Sequence, residues 1–122
     1  REHGIEKNVE FMGYREDVPN ILPFANLIVM PSEYEGFGIA FLEAMHCGVP
    51  GILSKDTPII EIAKECSLVT DTTPEDISQK IIKFLTDEKF YNQCSQKARE
   101  IAAQHTVENY VPNLLEIYNK YI

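Results

Sequence analysis

The sequence predicts an α/β fold, a parallel sheet flanked by helices, and three observations carry that prediction. Short apolar runs recur without alternation at Leu27-Ile28-Val29-Met30, Gly51-Ile52-Leu53 and Leu68-Val69. A strand shielded on both faces reads as a continuous apolar run, as in parallel sheets covered by helices. Helical patterns separate these runs, and such alternation marks the α/β class. Beyond residue 70 the pattern is helical only, so the fold closes on a helical C-terminal segment.

Each element has a local reason. Arg1-Glu2-His3 reads as the fraying end of a helix stopped by Gly4, so the chain is expected to begin mid-domain. Val9-Glu10-Phe11-Met12 is a strand candidate ended by Gly13, and Glu16–Ala25 a weak helix interrupted by Pro19 and Pro23. Pro31-Ser32 ends the strand Leu27–Met30. From Phe37 to Met45 every residue except Glu43 is apolar or Gly, which predicts a helix buried on nearly all sides.

Thr73-Pro74-Glu75-Asp76 supplies an N-cap, a proline at the first helical position and acids in the first turn. Ile77, Ile81, Phe84 and Leu85 then share a face. A second helix carries Phe90, Cys94, Ala98, Ile101 and Ala102. A third, capped by Thr106, carries Tyr110, Leu114, Ile117, Tyr118 and Tyr121. All three stripes are expected to face the core.

Composition excludes several function classes. At 122 residues, 44% hydrophobic and 25% charged, the chain is one domain or part of one. A formal charge of −8 with scattered Lys and Arg leaves no basic stripe for nucleic acid. Cys47, Cys66 and Cys94 are odd in number and form no CxxC. They read as reduced packing thiols of a cytoplasmic protein. His3, His46 and His105 lack metal-ligand spacing, so no metal is expected. No apolar run approaches the ~20 residues of a membrane span, and the N-terminus is unlike a signal peptide.

The chemistry concentrates between residues 31 and 45. In open parallel sheets, ligands sit beyond the carboxyl ends of the strands. Pro31-Ser32-Glu33-Tyr34-Glu35-Gly36-Phe37-Gly38 lies at such an end. Gly36 and Gly38 permit close backbone approach, and the helix start that follows offers unpaired N–H groups suited to phosphate. Glu43 either escapes to solvent along a narrow stripe or faces a polar ligand, since a buried carboxylate is costly to desolvate. It lies roughly 7.5 Å along the helix axis from Gly38. A diphosphate on the first turn would place vicinal ribose hydroxyls near Glu43 and sugar hydroxyls near Glu35. Carboxylates accept such pairs well. A nucleotide diphosphate sugar fits all of these features.

Several motifs in order resemble the donor half of retaining, two-Rossmann-domain glycosyltransferases, family-4 like. They are Val9-Glu10-Phe11-Met12-Gly13, Ala25-Asn26 through Pro31-Ser32, Glu35-Gly36-Phe37-Gly38 through Glu43-Ala44-Met45, and Gly48-Val49-Pro50. A strand ending at Asp71, three helices and Tyr118 near the end are also similar. The resemblance implies a Rossmann-like parallel sheet truncated at its N-terminal end. Residues 1–122 would form a partial donor-binding domain, with the acceptor-binding N-terminal domain absent. Glu43 would bind the donor ribose, backbone around Gly36, Phe37, Gly38 and Ile39 would hold the diphosphate and sugar, and Glu35 would act near the reacting carbon. Gly13, Tyr14 and Arg15 would lie beside the nucleobase. The family transfers an activated sugar with retention, commonly without a metal, to a sugar, lipid or polysaccharide acceptor.

Departures from the family pattern carry equal weight. An Arg and a Lys that hold the diphosphate in family members lie upstream of the matched segment and have no counterpart here. Fixed cations on the leaving group are often a large catalytic term, so the isolated chain is expected not to transfer sugar. Cys47 stands where a smaller residue is common, and Thr57-Pro58-Ile59 replaces a glycine-rich turn before Glu61. Of six strands in the order 3-2-1-4-5-6 the chain would hold the last four. Val9–Met12 would then pair directly with Leu27–Met30 or leave an edge for self-association. A non-catalytic nucleotide-binding module, or a sugar-nucleotide epimerase or phosphorylase of the same architecture, are the alternative readings. A cytoplasmic enzyme of bacterial surface-polysaccharide or glycolipid synthesis is the expected setting, with any membrane association left to the absent domain.

Overall fold

A computed structural model of the chain describes residues 3–122. The three unalternating runs are strands: β1 (Ile28–Met30), β2 (Gly51–Ser54) and β3 (Ser67–Thr70). They form a parallel sheet in the order β1-β2-β3, with Ile28 opposite Gly51 and Leu53 opposite Val69. The helices are α1 (Val18–Ile21), α2 (Ile39–His46), α3 (Ile60–Ala63), α4 (Pro74–Thr86), α5 (Glu88–Ala102) and α6 (Val107–Tyr121). The prolines that weaken the region after Glu16 leave only α1 and a 3-10 turn over Leu22–Phe24.

The central strand shows why apolar runs predict this sheet. All four residues of β2 are buried, and successive side chains point to opposite faces. Ile52 packs with Phe84 of α4 and Cys94 of α5. Leu53 packs with Phe41 and Met45 of α2, Ala63 of α3, and Ala98 and Ala102 of α5. Cys47, Cys66 and Cys94 are free thiols, and burial pushes the Cys66 thiol up to about 12.

Four expectations are corrected. Val9–Met12 is not a strand, and the sheet has three strands rather than four. Val9 has extended backbone, but a strand forms only where a neighbour takes up its backbone hydrogen bonds. No described segment pairs with 9–12, and Val9, Phe11 and Met12 remain exposed. Direct pairing with Leu27–Met30 is therefore overturned. The α2 helix is not buried on nearly all sides: Phe41, Ala44 and Met45 face the core, whereas Ile39, Ala40, Glu43 and His46 form an exposed stripe. The apolar stripe of α6 does not reach the core; none of its residues is buried, and Tyr110, Ile117, Tyr118 and Tyr121 are exposed. On α4, Leu85 turns to solvent and Ile77 is half-buried, while Ile81 and Phe84 pack in the core. The helix end expected over Arg1–His3 rests largely on residues outside the described ones.

The helix starts follow their local signals. Thr73 caps α4, its hydroxyl accepting from the Asp76 N–H at 3.3 Å, with Pro74 at the first position. Thr106 caps α6 in the same way through the Asn109 N–H at 3.4 Å. The Thr73 hydroxyl also donates to Asp71 at 2.7 Å. Thr73→Ala is expected to destabilise the protein by about 1–2 kcal/mol. Urea unfolding checks this, and an unchanged midpoint would refute the cap's contribution.

Candidate functional site

The carboxyl ends of all three strands open on one cleft of about 570 Å³. Glu33, Tyr34 and Glu35 line it from the loop after β1, and Ser54, Lys55 and Asp56 from the end of β2. Asp71 and Thr72 complete it after β3. Ser54 joins two of these segments by donating to the Ser32 carbonyl at 2.6 Å. Against four carboxylates the lining offers one cation, Lys55.

Thr72 is the sole non-glycine residue with positive φ among the described residues, at 71°. A β-branched side chain is strained there, and the surroundings must hold it. Its N–H donates to the Thr70 hydroxyl at 3.0 Å, and its own hydroxyl donates to the Asp71 carbonyl at 2.6 Å. Thr70 in turn donates to Asp76 at 2.7 Å, and Lys80 pairs with the same carboxylate. The Lys80 ammonium, then the Thr70 hydroxyl, hold Asp76 below its usual carboxylate range.

Gly38 sets the start of α2. Its φ is 108°, and no side chain caps the helix. The Phe41 and Leu42 N–H groups donate to the Gly38 carbonyl at 3.0 and 3.2 Å, which leaves the Ile39 and Ala40 N–H groups without an intrahelical partner. The turn after β2 presses against this point. Ile59 N–H donates to the Phe37 carbonyl at 3.0 Å. A Cβ on Gly38 would stand 2.8 Å from Ile59 Cγ2. Gly36 needs no such freedom: a Cβ there would meet nothing within 4 Å.

The structure brings together only part of the expected site. Glu35 is half-buried in the cleft, while Glu43 lies exposed on α2 and does not line the cleft. Among the described residues neither carboxylate is engaged in a hydrogen bond or ion pair. Phe37 lines a separate, mostly apolar cavity with Leu42, Val107 and Tyr110, and Ile39 is exposed on the Glu43 stripe. Gly13, at φ 64°, and Tyr14 do not line the cleft. Nor does Arg15, whose guanidinium donates twice to Asp17, at 2.8 and 2.6 Å. That pair holds Asp17 below its usual range and Arg15 above. No three His, Cys, Asp or Glu among the described residues converge as metal ligands.

Residues 1–101 match the family model of glycosyl transferases, group 1. The chain belongs to this family. It corresponds to the C-terminal domain of these two-domain glycosyltransferases. O-antigen chain mannosyltransferase B of Escherichia coli is 34% identical over 113 residues, 90% of this chain and 30% of the relative. The structure of sucrose-phosphate synthase from Thermosynechococcus elongatus aligns with a TM-score of 0.85 at 25% identity. That alignment covers 98% of this chain and 32% of the other. Anabaena Alr3699/HepE in complex with UDP-glucose aligns at 0.73 and 28% identity, covering 84% and 29%. The chain thus spans about a third of the length of the group 1 glycosyltransferase relatives it matches. Among its described residues no helix is long and apolar enough to cross a membrane.

Lys55, Asp56, Asp71 and Thr72 were not among the residues expected in the site. The carboxyl-end rule alone could have found them, since they directly follow β2 and β3.

Proposed function

We propose that this chain supplies the donor site of a glycosyltransferase that moves a sugar, with retention, from a nucleotide diphosphate sugar to an acceptor. The observation that carries the reading is a pair of unengaged carboxylates, Glu35 and Glu43, on either side of the uncapped α2 start. The diphosphate would sit on the first-turn amides of α2 around Gly38 and Ile39, and Glu43 would accept from the ribose diol. Backbone at Gly36 and Phe37 would hold the sugar. Glu43 lies on the solvent-facing stripe of α2 and not in the cleft, so its ribose role rests on the family match and on its spacing from Glu35, not on a buried carboxylate. Gly13, Tyr14 and Arg15 would lie beside the nucleobase.

Glu35 would act on charge. Sugar transfer builds positive charge at the anomeric carbon, and an unpaired carboxylate beside it lowers the barrier by preorganised attraction. The cleft is too acidic to hold a diphosphate by itself, so the cations for the leaving group would come from outside residues 1–122. The acceptor, a sugar, lipid or polysaccharide, would be bound by an N-terminal domain, and the setting would be cytoplasmic polysaccharide or glycolipid synthesis. The isolated chain would then bind nucleoside diphosphates weakly and transfer nothing.

Glu43→Ala tests the reading in the full-length protein. A ribose contact far from the reacting carbon contributes mostly uniform binding. The donor KM is therefore expected to rise about tenfold, roughly the value of one charge-assisted hydrogen bond, while kcat stays within about threefold. An unchanged donor KM would refute the assignment.

A further inference from the structure

We propose that Ser95 and Arg99 on α5 are positioning residues for α2, fixing the helix on which the proposed donor contacts stand. The inference rests on the donor-binding reading above. The α2 helix ends in a glycine turn: Gly48 N–H donates to the Met45 carbonyl and Val49 N–H to the Ala44 carbonyl, each at 2.9 Å. Gly48 has φ 72°, the left-handed geometry this cap requires. These bonds leave the Cys47 and Gly48 carbonyls for partners outside the helix.

Side chains of α5 take both. Arg99 Nη2 donates to the Cys47 carbonyl at 3.2 Å, and the Ser95 hydroxyl donates to the Gly48 carbonyl at 2.6 Å. Arg99 Nη1 donates to the Ser95 hydroxyl at 3.0 Å and closes the set. The fit is close: a Cβ on Gly48 would fall 2.1 Å from Arg99 Cζ. Four residues before Ser95, the Tyr91 hydroxyl donates to the Asn26 carbonyl at 2.8 Å, just ahead of β1. Residues 91, 95 and 99 lie on one face of α5 at helical spacing. That face registers the end of α2 against the amino-terminal side of the sheet.

The arrangement does what apolar packing does not. Phe41, Ala44 and Met45 hold α2 against the core, but hydrophobic contact is non-directional. Directional bonds at the C-terminus set the axial position and pitch, and a cation there also complements the helix dipole. Eight residues make a lever of roughly 12 Å. A 5° tilt about its C-terminus displaces the first turn by roughly 1 Å, enough to matter for a bound, oriented substrate.

Arg99→Met, Arg99→Lys and Ser95→Ala in the full-length protein test this, with Glu43→Ala as the reference. Donor KM, kcat and Tm are measured well below the lowest Tm. Arg99→Met is expected to raise donor KM about fivefold and Ser95→Ala two- to threefold. Arg99→Lys should recover part of the loss, since an ammonium can still reach the Cys47 carbonyl. In the Glu43→Ala background the Arg99→Met effect should shrink, because both act through one helix. A fall in Tm with donor KM unchanged in every clamp variant would overturn the proposal. If Arg99→Met fails to fold, unchanged donor KM in Ser95→Ala and Arg99→Lys overturns it equally. A Glu43→Ala variant with normal donor KM would instead sink the donor-binding reading itself.

Discussion

Glu35→Ala in the full-length protein is expected to lower kcat for sugar transfer about 100-fold or more, while donor KM changes by no more than about threefold. The magnitude is that of removing one preorganised electrostatic contact from a reacting centre. Glu35 suits such a role because it is half-buried in the cleft and engaged by no other group. Glu33 lines the same cleft but is exposed, and Glu33→Ala is the matched control for general negative charge. Glu35→Gln separates two mechanisms. An amide keeps the acceptor oxygen for a sugar hydroxyl yet carries no charge, so a charge-based role predicts nearly the full loss in Glu35→Gln. An orienting hydrogen bond predicts substantial recovery. Activity of Glu35→Ala within threefold of the parent would remove Glu35 from the chemistry.

The sheet and the cleft differ in how far the sequence discloses them. The central run is legible because burial of β2 on both faces selects Gly51, Ile52 and Leu53, whereas β1 is only half-buried and Val69 of β3 is exposed. The Thr73 and Thr106 caps are legible because capping is a local event. The α2 helix misleads for a physical reason. Ile39 is 65% exposed and Ala40 is exposed beside it, so apolar sequence there does not mean core. An apolar face left open next to Glu43 has the same composition as a buried one. The α6 helix misleads in the same manner, with Tyr118 and Tyr121 exposed. Val9–Met12 has strand-like residues, but pairing is non-local and needs a partner that the local pattern cannot supply. The clamp of Ser95 on Gly48 and of Arg99 on Cys47 spans 47 and 52 residues, a separation that no periodicity reports.

Gly38→Val is expected to produce the largest stability loss and to weaken nucleotide binding along with it. Two penalties combine. A non-glycine residue at φ 108° and ψ 44° is strained by about 1–3 kcal/mol. The new Cβ would also meet Ile59 Cγ2 at 2.8 Å and Ile59 Cβ at 3.3 Å. Ile59 is fully buried, and its Cγ2 sits on the branch point rather than at a flexible tip, so overpacking adds about 1–3 kcal/mol. Relief requires Ile59 to withdraw, which breaks its N–H bond to the Phe37 carbonyl and moves the first turn of α2. Ile59→Ala supplies the counter-test, since it opens space for the added side chain. Paired with Gly38→Val it should restore part of the stability while leaving the backbone strain. Recovery of stability without recovery of nucleoside-diphosphate affinity would show that φ at Gly38, and not the clash, sets the direction of the first-turn amides. A Gly38→Val protein with parental Tm and affinity would mean that the α2 start tolerates a side chain there.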